Sequence, residues 1–85
     1  MKVIIPDVLR SYTKAREIQG TGRTVAEVFE DLESRFPGIR FRVINELDEL
    51  RPNIKLFING VRIRELSSAI SDDDELFIMQ ALSGG

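Results

Sequence analysis

The last eleven residues, Glu75–Gly85, read ELFIMQALSGG and say most about the fold. Glu75 to Gln80 is strongly apolar and predicts a final β-strand. The chain then runs through Ala81 and Leu82 to Ser83-Gly84-Gly85. Glycines have no Cβ, so a narrow channel in another protein can close around such an end. The terminal carboxylate is ionised at neutral pH and needs an attached leaving group before it reacts as an electrophile.

We therefore predict a folded domain over residues 1–80 and a flexible C-terminal tail over residues 81–85. Five extended residues reach at most about 17 Å. The reacting group would be the carboxylate of Gly85, with Gly84, Ser83 and Leu82 threading a partner. The alternative is a frayed end without function, because chain termini are usually disordered.

A β-hairpin precedes the final strand. Ile54 to Ile58 alternates as a strand does, and Asn59-Gly60 is a strong two-residue turn signal because both residues tolerate positive φ. Val61 and Ile63 alternate with arginines on the return strand. Asp72-Asp73-Asp74 predicts an exposed turn before the last strand.

The main helix is the clearest element further upstream. Thr24 and Glu27 have the spacing of a capping box. A stripe of apolar residues follows at helical spacing, and Pro37-Gly38 ends it. The stripe consists of Val25, Val28, Phe29, Leu32 and Phe36. Val3–Ile5 and residues 15–19 are strand candidates, whereas residues 41–53 give a mixed pattern. One helix on one face of a mixed sheet defines an α+β domain.

Alternation along the strands predicts a second, uncovered sheet face. If Leu56, Leu76 and their neighbours point at the helix, then Phe57, Phe77 and Met79 point away from it. Exposed apolar patches often mark partner surfaces, so these three side chains form a predicted docking face. The alternative is a small satellite core covered by a loop.

Composition excludes several classes of function. The 85 residues contain no histidine and no cysteine, which removes Ser-His-Asp and Cys-His catalysis and disulfides. A net charge of −2 argues against nucleic-acid binding. The acidic run at Asp72–Glu75 lacks the ligand spacing of a calcium loop. Four arginines at positions 40, 42, 62 and 64 predict a solvated or partner-facing basic edge. We expect a cytoplasmic protein that binds neither membrane nor metal.

Together, the strand-strand-helix order, the Asn59-Gly60 hairpin, the acidic turn and the Ser83-Gly84-Gly85 end resemble the MoaD/ThiS-type sulfur carrier proteins. That family has the ubiquitin-like β-grasp fold. The resemblance covers essentially the whole chain. Two features depart from the family: Asp73 stands where the family often has the glycine of an Asp-Gly-Asp turn, and Ala81-Leu82 replaces a tail that often contains proline.

The resemblance implies a reaction cycle rather than an enzyme. A ubiquitin-activating-type adenylyltransferase would bind the open sheet face and adenylate Gly85 with Mg-ATP. A sulfur donor protein or sulfide would then form a C-terminal thiocarboxylate, and a downstream synthase would receive the sulfur. The chain itself would bind no cofactor. The opening from Ile5 to Thr13 resembles carriers of the cysteine-synthesis branch, with the small subunit of molybdopterin synthase next. The alternatives are a ubiquitin-like modifier of lysines and a passive interaction module.

Overall fold

A five-stranded mixed sheet forms the centre of the molecule, seen in a computed structural model that describes residues 1–81. Its strands are β1 (Lys2–Ile4), β2 (Glu17–Gln19), β3 (Ile54–Ile58), β4 (Val61–Ile63) and β5 (Glu75–Gln80). They are arranged in the order β2-β1-β5-β3-β4. The last strand runs parallel to the first, and every other neighbouring pair is antiparallel. The predicted final strand therefore lies at the middle of the sheet.

Three α-helices and one 3-10 turn complete the described chain. They are the turn Asp7–Leu9, α1 (Arg10–Thr13), α2 (Val25–Arg35) and α3 (Ile39–Val43). No helix within residues 1–81 has the length and apolar character needed to cross a membrane.

The predicted main helix begins where its capping signal placed it. The hydroxyl of Thr24 accepts the N–H of Glu27 at 3.2 Å, which satisfies one free donor of the first turn. The carboxylate of Glu27 reaches back to the N–H of Arg23 at 2.9 Å rather than to that of Thr24. The cap therefore differs from a standard capping box in one of its two bonds, because Glu27 accepts from the residue before the N-cap.

The core lies between α2 and one face of the sheet. The apolar stripe of α2 is fully buried from Val25 to Leu32, and Phe36 is half-buried at its edge. The sheet contributes Val3, Leu56, Leu76 and Ile78, all with essentially no exposed surface. The prediction of one main helix on one face of a mixed sheet is confirmed.

The helix α3 was missed by the sequence interpretation, which found only a mixed pattern there. Its apolar residues Ile39 and Val43 are four positions apart and buried, while Phe41 between them is 55% exposed. The helix has no cap of its own. Instead, the carboxylate of Glu33 on α2 accepts the N–H groups of Gly38 at 2.8 Å and Arg40 at 2.9 Å. These two bonds lower the pKa of Glu33 below its ordinary value of 4.5.

Candidate functional site

The sheet face opposite α2 carries a row of side chains that crosses four strands. Phe77 of β5 lies between Ile4 of β1 and Phe57 of β3, and Phe57 is paired with Arg62 of β4. Met79 follows Phe77 on the same side of β5, because alternate residues of a strand share a face. We call this surface the open face and define its apolar part as Ile4, Phe57, Phe77 and Met79.

The two aromatic rings on the open face form a direct contact. The centroids of Phe57 and Phe77 are 6.2 Å apart and their planes meet at 70°, an edge-to-face arrangement. Phe77 nevertheless keeps 38% of its surface exposed, whereas Phe57 and Met79 are half-buried. The structure thus brings the three predicted docking residues together. Their binding of a partner stays a prediction.

Ile4 belongs to the same patch and was missed by the sequence interpretation. The run Val3-Ile4-Ile5 is uniformly apolar, so it gave no indication of which residue faces outward. In the sheet, Val3 and Ile5 are completely buried and Ile4 is half-buried on the other side. Alternation along the strand could have found Ile4 only if Val3 and Ile5 had first been assigned to the core.

Positive charge borders the apolar part of the open face on the side of β3 and β4. Lys55 is paired with Met79 across the strands, and the exposed Arg62 with Phe57. On the opposite side, Lys2 lies 4.0 Å from the carboxylate of Glu17. The open face therefore offers a partner an apolar centre with cations on one margin.

The four arginines predicted to form one basic edge do not do so. Arg40 and Arg42 lie on α3, on the core side of the sheet, and Arg40 binds the carboxylate of Asp48 at 3.0 Å. Arg62 lies on β4 and Arg64 directly follows that strand. Residues two positions apart share a face on a strand but not on a helix. The same spacing in the two arginine pairs therefore does not predict the same side-chain directions.

The carboxyl end of β5 fixes where the tail leaves the domain. The N–H of Ala81 donates to the carbonyl of Asn53 at 2.8 Å, which continues the pairing of β5 with the start of β3. The tail therefore begins beside Met79 and the open face. The remaining predicted site residues, Leu82, Ser83, Gly84 and Gly85, lie outside the residues that the structure describes.

A hydrogen-bonded latch holds the start of β5 to the hairpin. The side chain of Asn59 donates to Asp74 at 2.8 Å and accepts the N–H of Glu75 at 2.9 Å. The other carboxylate oxygen of Asp74 accepts the N–H of Ser71 at 2.8 Å, closing the predicted acidic turn. The bonds from Ser71 and Asn59 lower the pKa of Asp74 below 3.8. The acidic turn is thus a structural element of the sheet.

The described residues contain no cluster of three or more acidic side chains that could hold a metal ion. Every buried side-chain nitrogen or oxygen within residues 1–81 has a hydrogen-bond partner. No side chain in this part of the chain therefore leaves a buried polar atom without a partner.

The sheet order, with β5 parallel to β1 at the centre and one main helix across it, defines a ubiquitin-like β-grasp protein. The model of the ThiS family matches residues 3–85. The chain belongs to the ThiS family, and its predicted resemblance to MoaD/ThiS-type carriers is confirmed.

Three individual proteins are similar to this chain in sequence or in structure. The sulfur carrier protein CysO of Mycobacterium tuberculosis is 30% identical over 89 residues, which span 98% of this chain and 96% of that protein. A chain in the crystal structure of the Amycolatopsis orientalis BexX/CysO complex is 34% identical, with a TM-score of 0.91 over 99% of this chain and 98% of its own. The small archaeal modifier protein 1 of Methanosarcina acetivorans is 29% identical, with a TM-score of 0.83, covering 99% and 94%.

Proposed function

We propose that this protein is a sulfur carrier whose Gly85 carboxylate is adenylated and then converted to a thiocarboxylate. The observation that carries the proposal is the extent of the family match. It runs to residue 85 and so includes the di-glycine end, and a relative of nearly equal length is named a sulfur carrier protein.

The chemistry needs little from the chain itself. The carboxylate of Gly85 attacks the α-phosphorus of ATP and releases pyrophosphate, with Mg²⁺ held by the activating enzyme. A sulfur nucleophile then attacks the acyl carbon and expels AMP, leaving sulfur in place of one oxygen. The carrier acts as a protein substrate and not as a catalyst, and it binds no cofactor in this scheme. Its lack of histidine and cysteine is compatible with that role.

The open face is suited to hold the activating enzyme. A partner that buries Phe77 and Met79 gains apolar contact area directly beside the point where the tail leaves β5. Docking there would place the tail within its short reach of the nucleotide. The partners are then a ubiquitin-activating-type adenylyltransferase, a sulfur donor and a downstream synthase.

The destination that we favour for the sulfur is cysteine synthesis. The relatives named CysO support this branch, and the opening of the chain from Ile5 to Thr13 has the same resemblance. Delivery to molybdopterin synthase is the second choice. Assaying transfer of sulfur from the thiocarboxylate to the substrates of each synthase separates the two branches.

Intact-mass measurement tests the proposal. The chain is incubated with a ubiquitin-activating-type adenylyltransferase, Mg-ATP and sulfide, and one oxygen should be exchanged for sulfur. A chain without Gly84-Gly85 is the matched control and should keep its mass. If the mass of the full chain stays the same with an enzyme that thiocarboxylates another carrier in the same tube, the proposal is wrong for that class of enzyme. Uniformly negative results with a panel of such enzymes overturn it.

A ubiquitin-like modifier is the second candidate, favoured by the likeness to a small archaeal modifier protein. The same activated Gly85 would then acylate the ε-amine of a target lysine and release AMP. Isopeptide-linked adducts recovered from cells, absent when Gly84-Gly85 is deleted, would support it. Full activity in cells after that deletion would instead indicate a passive interaction module.

A further inference from the structure

The turn that leads into β3 holds the point where the tail leaves the domain. The carbonyl of Asn53 accepts the N–H of Ala81 at 2.8 Å. Asn53 is the third residue of a turn over residues 51–54, which is closed by the N–H of Ile54 on the carbonyl of Arg51 at 3.0 Å. Pro52 suits the second position of such a turn, because its ring fixes φ at about −65°. The position of the Asn53 carbonyl therefore depends on how this turn is held.

Arg51 holds the turn to α3 with three contacts. Its N–H donates to the carbonyl of Val43 at 2.9 Å, and its Nε donates to the carbonyl of Phe41 at 2.7 Å. Its guanidinium carbon also lies 4.5 Å from the centre of the Phe41 ring, within the range of a cation–π interaction. The last carbonyls of a helix have no partner within the helix, so the Phe41 carbonyl is free to accept this bond. One half-buried arginine thus ties the turn to the end of α3.

The register of β3 and β5 shows what would be lost if the turn moved. Hydrogen-bonded and non-hydrogen-bonded pairs alternate along an antiparallel ladder. Because Ala81 bonds Asn53, the next pair that exchanges hydrogen bonds is Met79 with Lys55, two residues earlier in β5. Releasing Ala81 therefore moves the last bond between β5 and β3 back to Met79.

We propose that Arg51 is a positioning residue for the reaction at Gly85: it holds the turn against α3, and the turn keeps Ala81 bonded at the start of the tail. This inference rests on the proposed adenylation of Gly85. With Ala81 released, the segment beyond the last bond to β3 grows from residues 82–85 to residues 80–85. The local concentration of a tethered group falls with roughly the three-halves power of the tether length, so it would decrease about twofold. Arg51 touches no reacting atom in this scheme and acts only through the bond at Ala81.

Hydrogen exchange of the chain alone tests the structural step. In Arg51→Ala, the amide of Ala81 should exchange about fivefold faster, the scale of one lost hydrogen bond, while that of Met79 keeps its natural rate. Arg51→Lys keeps a cation for the Phe41 ring, so its rate should be intermediate. Arg42→Ala removes an exposed arginine of α3 that forms no ion pair within residues 1–81, and it should change neither amide. Equal rates at Ala81 in the natural chain and in Arg51→Ala would overturn the proposal.

Single-turnover adenylation by the activating enzyme tests the kinetic step. Arg51→Ala should lower the maximal rate about twofold and leave the half-saturating concentration of carrier unchanged, because the open face is intact. A chain with an ester in place of the amide between Gln80 and Ala81 lacks the same N–H and should show the same decrease. If Arg51 acts through that bond, Arg51→Ala causes no further decrease in the ester chain.

The results that contradict the proposal can be separated from failure of the proposed function. A further decrease of equal size in the ester chain would show that Arg51 acts at another place, as would a raised half-saturating concentration with an unchanged maximal rate. Either result overturns the positioning role. A natural chain that is not adenylated counts against the proposed function itself, whereas an adenylated natural chain with an unaffected Arg51→Ala variant counts against the positioning role alone.

Discussion

The ring of Phe77 meets the edge of Phe57 at a centroid distance of 6.2 Å, and both rings lie on the open face. Aromatic pairs of this geometry contribute about 0.5–1.5 kcal/mol beyond the area they bury. The contact fixes the orientation of Phe77 although 38% of its surface is exposed. A partner that binds an already ordered ring loses less side-chain entropy than one that must immobilise it.

Truncating Phe77 should therefore affect partner binding more than folding. For Phe77→Ala we expect the free energy of unfolding to fall by about 1 kcal/mol, because the ring is incompletely buried. The kcat/KM for adenylation by the activating enzyme should fall at least about tenfold, as for a central contact residue. Urea unfolding and pyrophosphate release measure the two effects.

Val61→Ala is the matched control for that substitution. Val61 is an apolar strand residue with 67% of its surface exposed, and its pairing with Ile58 places it on the side of β4 away from Phe77. Both unfolding and adenylation should be nearly unchanged. An equal loss of adenylation in the two variants would show that the open face is not where the enzyme binds.

The latch between Asn59 and the start of β5 predicts a graded loss of stability. Asn59 has φ of 51°, and its side chain bonds Asp74 and Glu75. Asn59→Gly keeps the turn conformation but loses both bonds, so unfolding should become easier by about 1–2 kcal/mol. Asn59→Ala should cost roughly 1 kcal/mol more, because alanine is strained at positive φ. Thermal unfolding followed by circular dichroism gives the order; a glycine variant as stable as the natural chain would contradict it.

The sequence predicted the elements whose signals are local. Thr24 caps α2 as its spacing indicated, Asn59-Gly60 turns the hairpin, and the apolar Glu75–Gln80 run is the central strand. Alternation alone placed Phe57 and Phe77 on one face, and the register confirms that position. Each of these inferences needed only neighbours along the chain.

What escaped prediction depends on contacts between distant residues. The helix α3 is only five residues long, and its first turn is capped by Glu33 from the preceding helix. No local signal marks such a cap. The apolar part of the open face likewise needs the parallel pairing of β1 with β5, which brings Ile4 next to Phe77, more than seventy residues later in the chain.

Two glycines with positive φ differ in what surrounds them, and this difference can be measured. A Cβ at Gly22, with φ of 150°, would lie 2.8 Å from the backbone nitrogen of Val28. A Cβ at Gly60, with φ of 84°, would meet nothing within 4 Å. Gly60→Ala should cost roughly 1–2 kcal/mol of unfolding free energy, the strain of the conformation alone.

Gly22→Ala should cost about 3 kcal/mol or more, because backbone atoms at the start of α2 must also move. Urea denaturation of both variants, with equal slopes required, measures the difference. Equal costs at the two positions would mean that the connection before α2 relaxes without resistance.

The carboxylate of Glu33 predicts a dependence of stability on acidity. Its bonds to Gly38 and Arg40 lower its pKa in the folded chain below 4.5, so folding favours its charged form. The resulting stabilisation is fully present above pH 4.5, and it is lost as the pH falls through the lowered value. Glu33→Gln should therefore be less stable than the natural chain at neutral pH, with a difference that shrinks as acid is added.

Urea midpoints measured from neutral pH downward test this, with Glu30→Gln on the exposed side of the same helix as the control for loss of charge alone. A difference between the natural chain and Glu33→Gln that stays constant down to strongly acidic pH would show that the cap of α3 does not depend on the charge of Glu33.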